Sequence, residues 1–158
     1  MKKLVLFLVL LLITGGGYAM IQTLSLEELA HSSDIVAYGK VVGIKTTGKT
    51  PEGVEIVANL IEIVDVLKGQ ISKGEKIKIK TFAKVEDNVS FTQGQKYLLF
   101  LQKADGYYNV TNFVQGCWPV DNEGKFEGMG RGKKIEDVKK AINSTPLKFK
   151  PKVPDLQL

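Results

Sequence analysis

Cysteine, histidine and tryptophan each occur once in these 158 residues. A single Cys117 excludes an intrachain disulfide, so the fold must stand on its apolar core. A thiol nucleophile needs a positioned base, and the one histidine, His31, lies far from Cys117 in sequence; Cys117 reads as a small buried hydrophobe. One His and one Cys cannot make a zinc site without several carboxylates. Apolar runs are scarce too: the longest, Leu4 to Ile13, is about half the roughly twenty residues that span a bilayer. These shortages remove most catalytic and cofactor classes from consideration, and the expectation is of a non-enzyme without cofactor or metal.

The remaining constellations are weak. His31 sits beside Ser32, Ser33 and Asp34, but neighbours in sequence seldom meet a triad's geometry, so it reads as a surface histidine with capping neighbours. Glu86 and Asp87 read as a solvated loop. Glu62 and Asp65 lie within an apolar strand and read as structural partners of lysines; a hydrolase built on them is the least favoured reading. Asp121-Asn122-Glu123-Gly124 lacks the spacing of a calcium loop and reads as a β-turn. Gly128-Met129-Gly130-Arg131-Gly132-Lys133-Lys134 departs from the phosphate-loop pattern G-x-x-x-x-G-K-[ST] and reads as a flexible approach to a helix. Sequons at Asn88, Asn109 and Asn143 matter only in a glycosylating host.

What is present begins with Lys2 and Lys3, the apolar run, and Gly17-Tyr18-Ala19: basic start, short apolar core, small residues. That layout is a secretory signal with cleavage after Ala19. The reading is therefore residues 1–19 as signal peptide, 20–143 as one domain and 144–158 as a Pro/Lys-rich flexible tail, in a secreted or periplasmic protein with no membrane span after cleavage. Cleavage removes Lys2 and Lys3, so the formal charge falls from +5 to +3. This mild excess is not a nucleic-acid footprint.

Ser25 and Glu28 form a capping box for a helix over Leu26 to His31. The apolar period then becomes two. Strands are expected over Ile35–Ile44, Val54–Leu67 and Glu75–Phe82, with a turn-rich loop from Thr46 to Gly53. In the second, Val54, Ile56, Ala58 and Leu60 share a face, and beyond Leu60 both faces are apolar. In the third, Ile77 and Ile79 oppose Lys76, Lys78 and Lys80. Tyr97 to Leu101, apolar on both faces, reads as the central strand. Asp105-Gly106 turns it into a return strand from Tyr107 to Val114, and Trp118–Val120 with Lys125–Phe126 reads as a last short hairpin. Ile135, Val138 and Ile142 mark a final helix ended by Asn143 and Pro146. Short strands between turn signals indicate an all-β fold, a small OB-like antiparallel barrel with flanking helices at both ends.

Three stretches carry a resemblance: Asp34-Ile35-Val36-Ala37-Tyr38-Gly39-Lys40-Val41-Val42, Val64-Asp65-Val66-Leu67-Lys68-Gly69, and Gly94-Gln95-Lys96-Tyr97-Leu98-Leu99-Phe100-Leu101. Their order resembles small exported bacterial proteins of largely unknown function, which look like the netrin-like domain of the tissue inhibitors of metalloproteinases. The resemblance runs from Asp34 to Val120 and implies a five-stranded OB-like barrel. Inhibitors of that family place a disulfide-tied N-terminal Cys on the protease zinc. Here Cys117 is alone and no Cys begins the expected mature chain, so no residue inherits that role.

The candidate ligand surface is the stripe Lys76, Lys78, Lys80, three ammoniums on one strand face that suit a polyanion. OB barrels commonly bind chains across one sheet face. The expected function is a non-catalytic binding module for an envelope protein or an anionic surface polymer, with a protease-inhibitor-like protein as the alternative.

Overall fold

The strand from Tyr97 to Leu101 organises the molecule because every residue in it is buried. In a computed structural model, residues 22–145 are described. The expected signal segment and all but two residues of the expected tail lie outside them. The strands are β1 (Ile35–Lys49), β2 (Glu55–Lys68), β3 (Lys76–Phe82), β4 (Lys96–Ala104), β5 (Tyr107–Val110) and β6 (Cys117–Val120). Helix α1 (Leu26–Ser32) precedes them and α2 (Ile135–Asn143) follows. Among the described residues, no helix is long and apolar enough to cross a membrane.

The strand order is β1-β2-β3-β5-β4, and β4 returns to β1, which closes the sheet into an OB-like barrel. β4 runs antiparallel to β1 from Ile35↔Leu101 to Lys40↔Lys96. On its other edge it pairs with β5 over Leu101–Ala104 and with β6 over Lys96–Leu99. One seam departs from the expected antiparallel pattern. β3 and β5 run parallel and meet at a single pair, Ile79↔Tyr108, so the barrel is mixed.

Side-chain alternation along β4 feeds two cores. Tyr97, Leu99 and Leu101 point into the barrel with Ile35, Ala37, Val41, Ile61, Ile63, Ile77 and Ile79. Leu98 and Phe100 point outward, where Leu29 and Ala30 of α1, Trp118, Phe126, and Val138 and Ala141 of α2 cover them. A strand buried on both faces must be apolar throughout. The second core carries an aromatic cluster: the Trp118 ring lies 5.1 Å from Phe100, tilted against it, and 5.4 Å from Phe126, edge to face.

Helix α1 starts as the capping box requires. Ser25 Oγ accepts from Glu28 N at 3.2 Å, and Glu28 Oε2 accepts from Ser25 N at 2.7 Å. Its far end is tied to the barrel by Lys68, whose Nζ donates to Ala30 O at 2.8 Å and Ser33 O at 2.6 Å. A cation at a helix C-terminus meets both the free carbonyls and the helix dipole. Burial lowers the Lys68 pKa, against the opposing pull of Asp34.

Two strand ends differ most from the sequence reading. β1 continues to Lys49 through the expected loop, because β2 opposite extends as far and pairs Thr46 with Val57 and Lys49 with Glu55. β5 stops at Val110 instead of Val114. Asn112 and Phe113 there take left-handed φ values of 51° and 54°, opening a 3-10 turn over Phe113–Gly116. Such angles end a strand.

Candidate functional site

Residues paired across adjacent strands present their side chains on one face. The β2–β3 pairs Glu62↔Lys76, Leu60↔Lys78, Ala58↔Lys80 and Ile56↔Phe82 therefore form four rows. Since Ile77 and Ile79 fill the interior, these rows lie outside the barrel. The apolar face Ile56, Ala58, Leu60 is thus an outer one, half-buried, while the inward face of β2 carries Asn59 and Ile61. Asn59, fully buried, donates to Ile79 O at 3.2 Å and Thr81 Oγ1 at 2.9 Å.

β1 extends the same rows. Lys40 stands opposite Glu62, Gly43 opposite Leu60, Lys45 opposite Ala58 and Gly48 opposite Ile56. Lys40 and Lys45 are both exposed and join the stripe. Strict alternation would place them on opposite faces, five positions apart. The register shift between Val41 and Gly43 turns them to the same one. Sequence reasoning missed both because a bulge leaves no mark in the alternation of a single strand. The resulting surface sets five lysines, Lys40, Lys45, Lys76, Lys78 and Lys80, around an apolar strip, and Glu62 is the carboxylate in these rows.

Lys80 has a second role. Its Nζ lies 5.6 Å from the Phe82 ring centroid and 5.5 Å from that of Tyr107, so the ammonium sits between two aromatic faces. Tyr107, which nothing in the sequence placed beside a lysine, comes across the β3–β5 seam. Where that seam opens, a cleft of about 460 Å³ runs between the end of β3, the β4–β5 hairpin and the segment around Asn88. Lys80, Lys103, Asp105, Tyr107 and Asn109 are among its walls.

The other candidates are not assembled into sites. His31 Nε2 meets Ser144 Oγ at 3.0 Å, linking the two helices, while Asp34 Oδ2 accepts from Lys103 N at 2.8 Å. No triad results. Glu62 is half-buried and Asp65 exposed. Neither has the lysine partner expected for it: the ion pair found among the described residues is Lys125–Glu123. Asp65 Oδ1 instead accepts from Val66 N at 3.0 Å. Glu86 and Asp87 are exposed, as a solvated loop should be. Asp121 closes the expected turn, its Oδ1 accepting from Glu123 N at 2.9 Å and Lys125 N at 2.8 Å. Among the described residues there is no group of three or more acidic, His or Cys side chains placed to hold a metal. Cys117 is buried, and burial pushes its thiol far above the usual value. The glycine-rich segment, expected as a flexible approach, is a ladder of bonded turns: Arg131 N donates to Gly128 O at 3.2 Å and Lys133 N to Gly130 O at 3.0 Å.

A profile of the family described as NRG2 N-terminal matches residues 29–113. The chain belongs to that family. The match runs from within α1 to the first residue of the 3-10 turn, so the lysine face and every residue lining the cleft fall inside it, while β6 and α2 lie beyond. The family's description names a protein region and no chemistry. No curated protein matches the chain.

Proposed function

We propose that this domain is a non-catalytic binding module for an anionic polymer, acting outside the cytoplasm. The observation that carries the reading is the outer face of β1–β3, where five lysines surround Ile56, Ala58 and Leu60. Lys76, Lys78 and Lys80 recur at every second residue, roughly 7 Å apart along an extended strand. An even row of cations matches a chain with evenly repeated anions. Grouped charges of one sign raise the local concentration of such a partner and speed its approach. Export rests on the secretory layout of residues 1–19.

The test is binding of the purified protein to inorganic polyphosphate, which carries repeated charge and nothing else. Binding should weaken steadily as salt rises, since surface charges are screened within about 10 Å at 0.1 M ionic strength. The triple variant Lys76→Glu, Lys78→Glu, Lys80→Glu should bind at least tenfold more weakly. Unchanged affinity in that variant refutes the reading. Capture of a discrete protease by the wild-type protein, with no polyanion bound, would put the inhibitor-like alternative implied by the netrin-like resemblance in its place.

A further inference from the structure

The cleft at the β3–β5 seam differs in chemistry from the lysine face that it adjoins. Its walls combine aromatic rings with neutral hydrogen-bonding groups. Tyr107 and Phe82 bring their rings to the Lys80 end. Gln102 and Asn112 are held in place by one end of their amides. Gln102 Nε2 donates to Ser32 O at 2.8 Å, and Asn112 Nδ2 donates to Gln22 O at 2.9 Å and to Gln115.

That anchoring leaves the two carbonyl oxygens without a protein partner among the described residues. The same is true of the whole Asn109 amide and the Tyr107 hydroxyl. No buried side-chain nitrogen or oxygen lacks a partner among these residues, so the free groups are open to a ligand. Acceptors held by their own donors, one uncommitted amide and ring faces make a site for a molecule with an apolar side and a rim of hydroxyls. A sugar ring has that shape. Lys80 and Lys103 against Asp105 leave one net positive charge, which favours an anionic substituent on the sugar. A volume of about 460 Å³ lies within the range of small-ligand sites and exceeds what one hexose fills.

We propose that this cleft is a saccharide site that takes a uronic-acid unit, stacked on Tyr107, with its hydroxyls on Asn109, Gln102 and Asn112 and its carboxylate toward Lys103 and Lys80. The proposal rests on the polyanion reading only through Lys80, which serves both surfaces. It names the polymer's repeating unit as a sugar.

The experiment compares an oligogalacturonate with a neutral gluco-oligosaccharide of the same length and with polyphosphate. Binding is measured by titration calorimetry and by backbone amide shifts of the purified protein. The oligogalacturonate should move the amides of Tyr107 and Asn109. Asn109→Ala, at an exposed position that cannot upset the core, and Tyr107→Ala should each weaken it at least tenfold, and Asn109→Ala should leave polyphosphate binding unchanged. The paired variant Lys76→Glu, Lys78→Glu lies outside the cleft and should weaken polyphosphate far more than the oligogalacturonate. The saccharide site is overturned if the oligogalacturonate does not bind, or if it binds with Asn109→Ala and Tyr107→Ala both at wild-type strength. The lysine-face reading survives either result provided polyphosphate still binds through Lys76 and Lys78. Equal binding of the neutral oligosaccharide would overturn the assignment of the charged unit.

Discussion

At Gly130 the backbone packs against the Trp118 ring of the outer core, and Gly130→Ala tests how tightly that core is fixed. A methyl group built there would stand 2.7 Å from Trp118 Cγ and nearer still to Cδ2 and Cε3. The indole cannot simply retreat. Phe100 and Phe126 flank it at 5.1 and 5.4 Å, and its Nε1 donates to Gln115 O at 2.7 Å. Gly130 has no left-handed φ, so the effect comes from crowding alone. Overpacking a filled core costs about 1–3 kcal/mol, and tilting the ring off Gln115 loses a hydrogen bond of about 1 kcal/mol. The variant should therefore lose about 2–4 kcal/mol, a fall in Tm of about 10 °C for a domain of this size. Trp118 is the only tryptophan, so its fluorescence reports the site directly. Emission should shift to the red as the ring loosens, alongside the lower Tm seen by far-UV circular dichroism. Gly48→Ala, where the new methyl meets nothing within 4 Å, is the control and should unfold as the wild type does. A Gly130→Ala protein with wild-type Tm and emission would refute the packing argument.

Three further outcomes follow from the same structure. Because burial raises the Cys117 pKa, the folded thiol keeps its proton while the unfolded one loses it above pH 9.0. Wild-type stability relative to Cys117→Ala should be constant below that pH and shrink by about 1.4 kcal/mol per pH unit above it; urea titrations from pH 7 to 10.5 that run parallel would contradict this. Lys68→Met keeps the stem but removes the donor to Ala30 O and Ser33 O. The lost charge-assisted bonds outweigh the relief of burying an ammonium, so denaturation midpoints should show a loss of about 1–2 kcal/mol, and a stabilised variant would reverse that balance. Asn59→Asp places a carboxylate beside Ile79 O inside the barrel, where its pKa must rise. It should cost about 3 kcal/mol at pH 7, with the deficit narrowing as the pH falls toward 4 and the folded state takes up its proton; a deficit that does not change with pH would rule out a buried charge as the cause.

The sequence exposed those elements whose faces are sorted by local chemistry. β3 alternates Ile with Lys, and its burial follows that alternation residue by residue. β4 is apolar on both faces and proves to be the strand with three partners. The capping box at Ser25 sets the start of α1 in sequence and structure alike. What stayed hidden depends on partners far along the chain. The extension of β1 to Lys49 follows from the length of β2, not from Thr46, Thr47 and Gly48, which favour a turn. Asn59 points inward and is satisfied by Thr81 from β3, a partner 22 residues along the chain. Lys40 and Lys45 share a face only through a bulge, and the cleft gathers Asn88, Lys103 and Tyr107 across a seam that no local pattern announces. The ion pairs expected for Glu62 and Asp65 failed for a related reason. Lys40 and Lys76 stand beside Glu62 in register, but adjacency on a wet sheet face does not hold two long side chains together.

The double role of β4 also sets the order in which this chain can become a protein during synthesis. α1, β1, β2 and β3 all emerge before β4, and β1 buries neither its barrel face nor its helix face until β4 lies against it. α2, which completes the outer core, emerges last. Such distant pairings make folding slow, because loop closure must precede the contacts that reward it. The first hairpin is therefore an open, apolar-sided ribbon for as long as the 36 residues from the end of β2 to the end of β4 take to appear, about 2–7 s at ordinary rates of synthesis. The nascent chain consequently stays unfolded, and accessible to whatever handles unfolded chains, until more than half of it has been made.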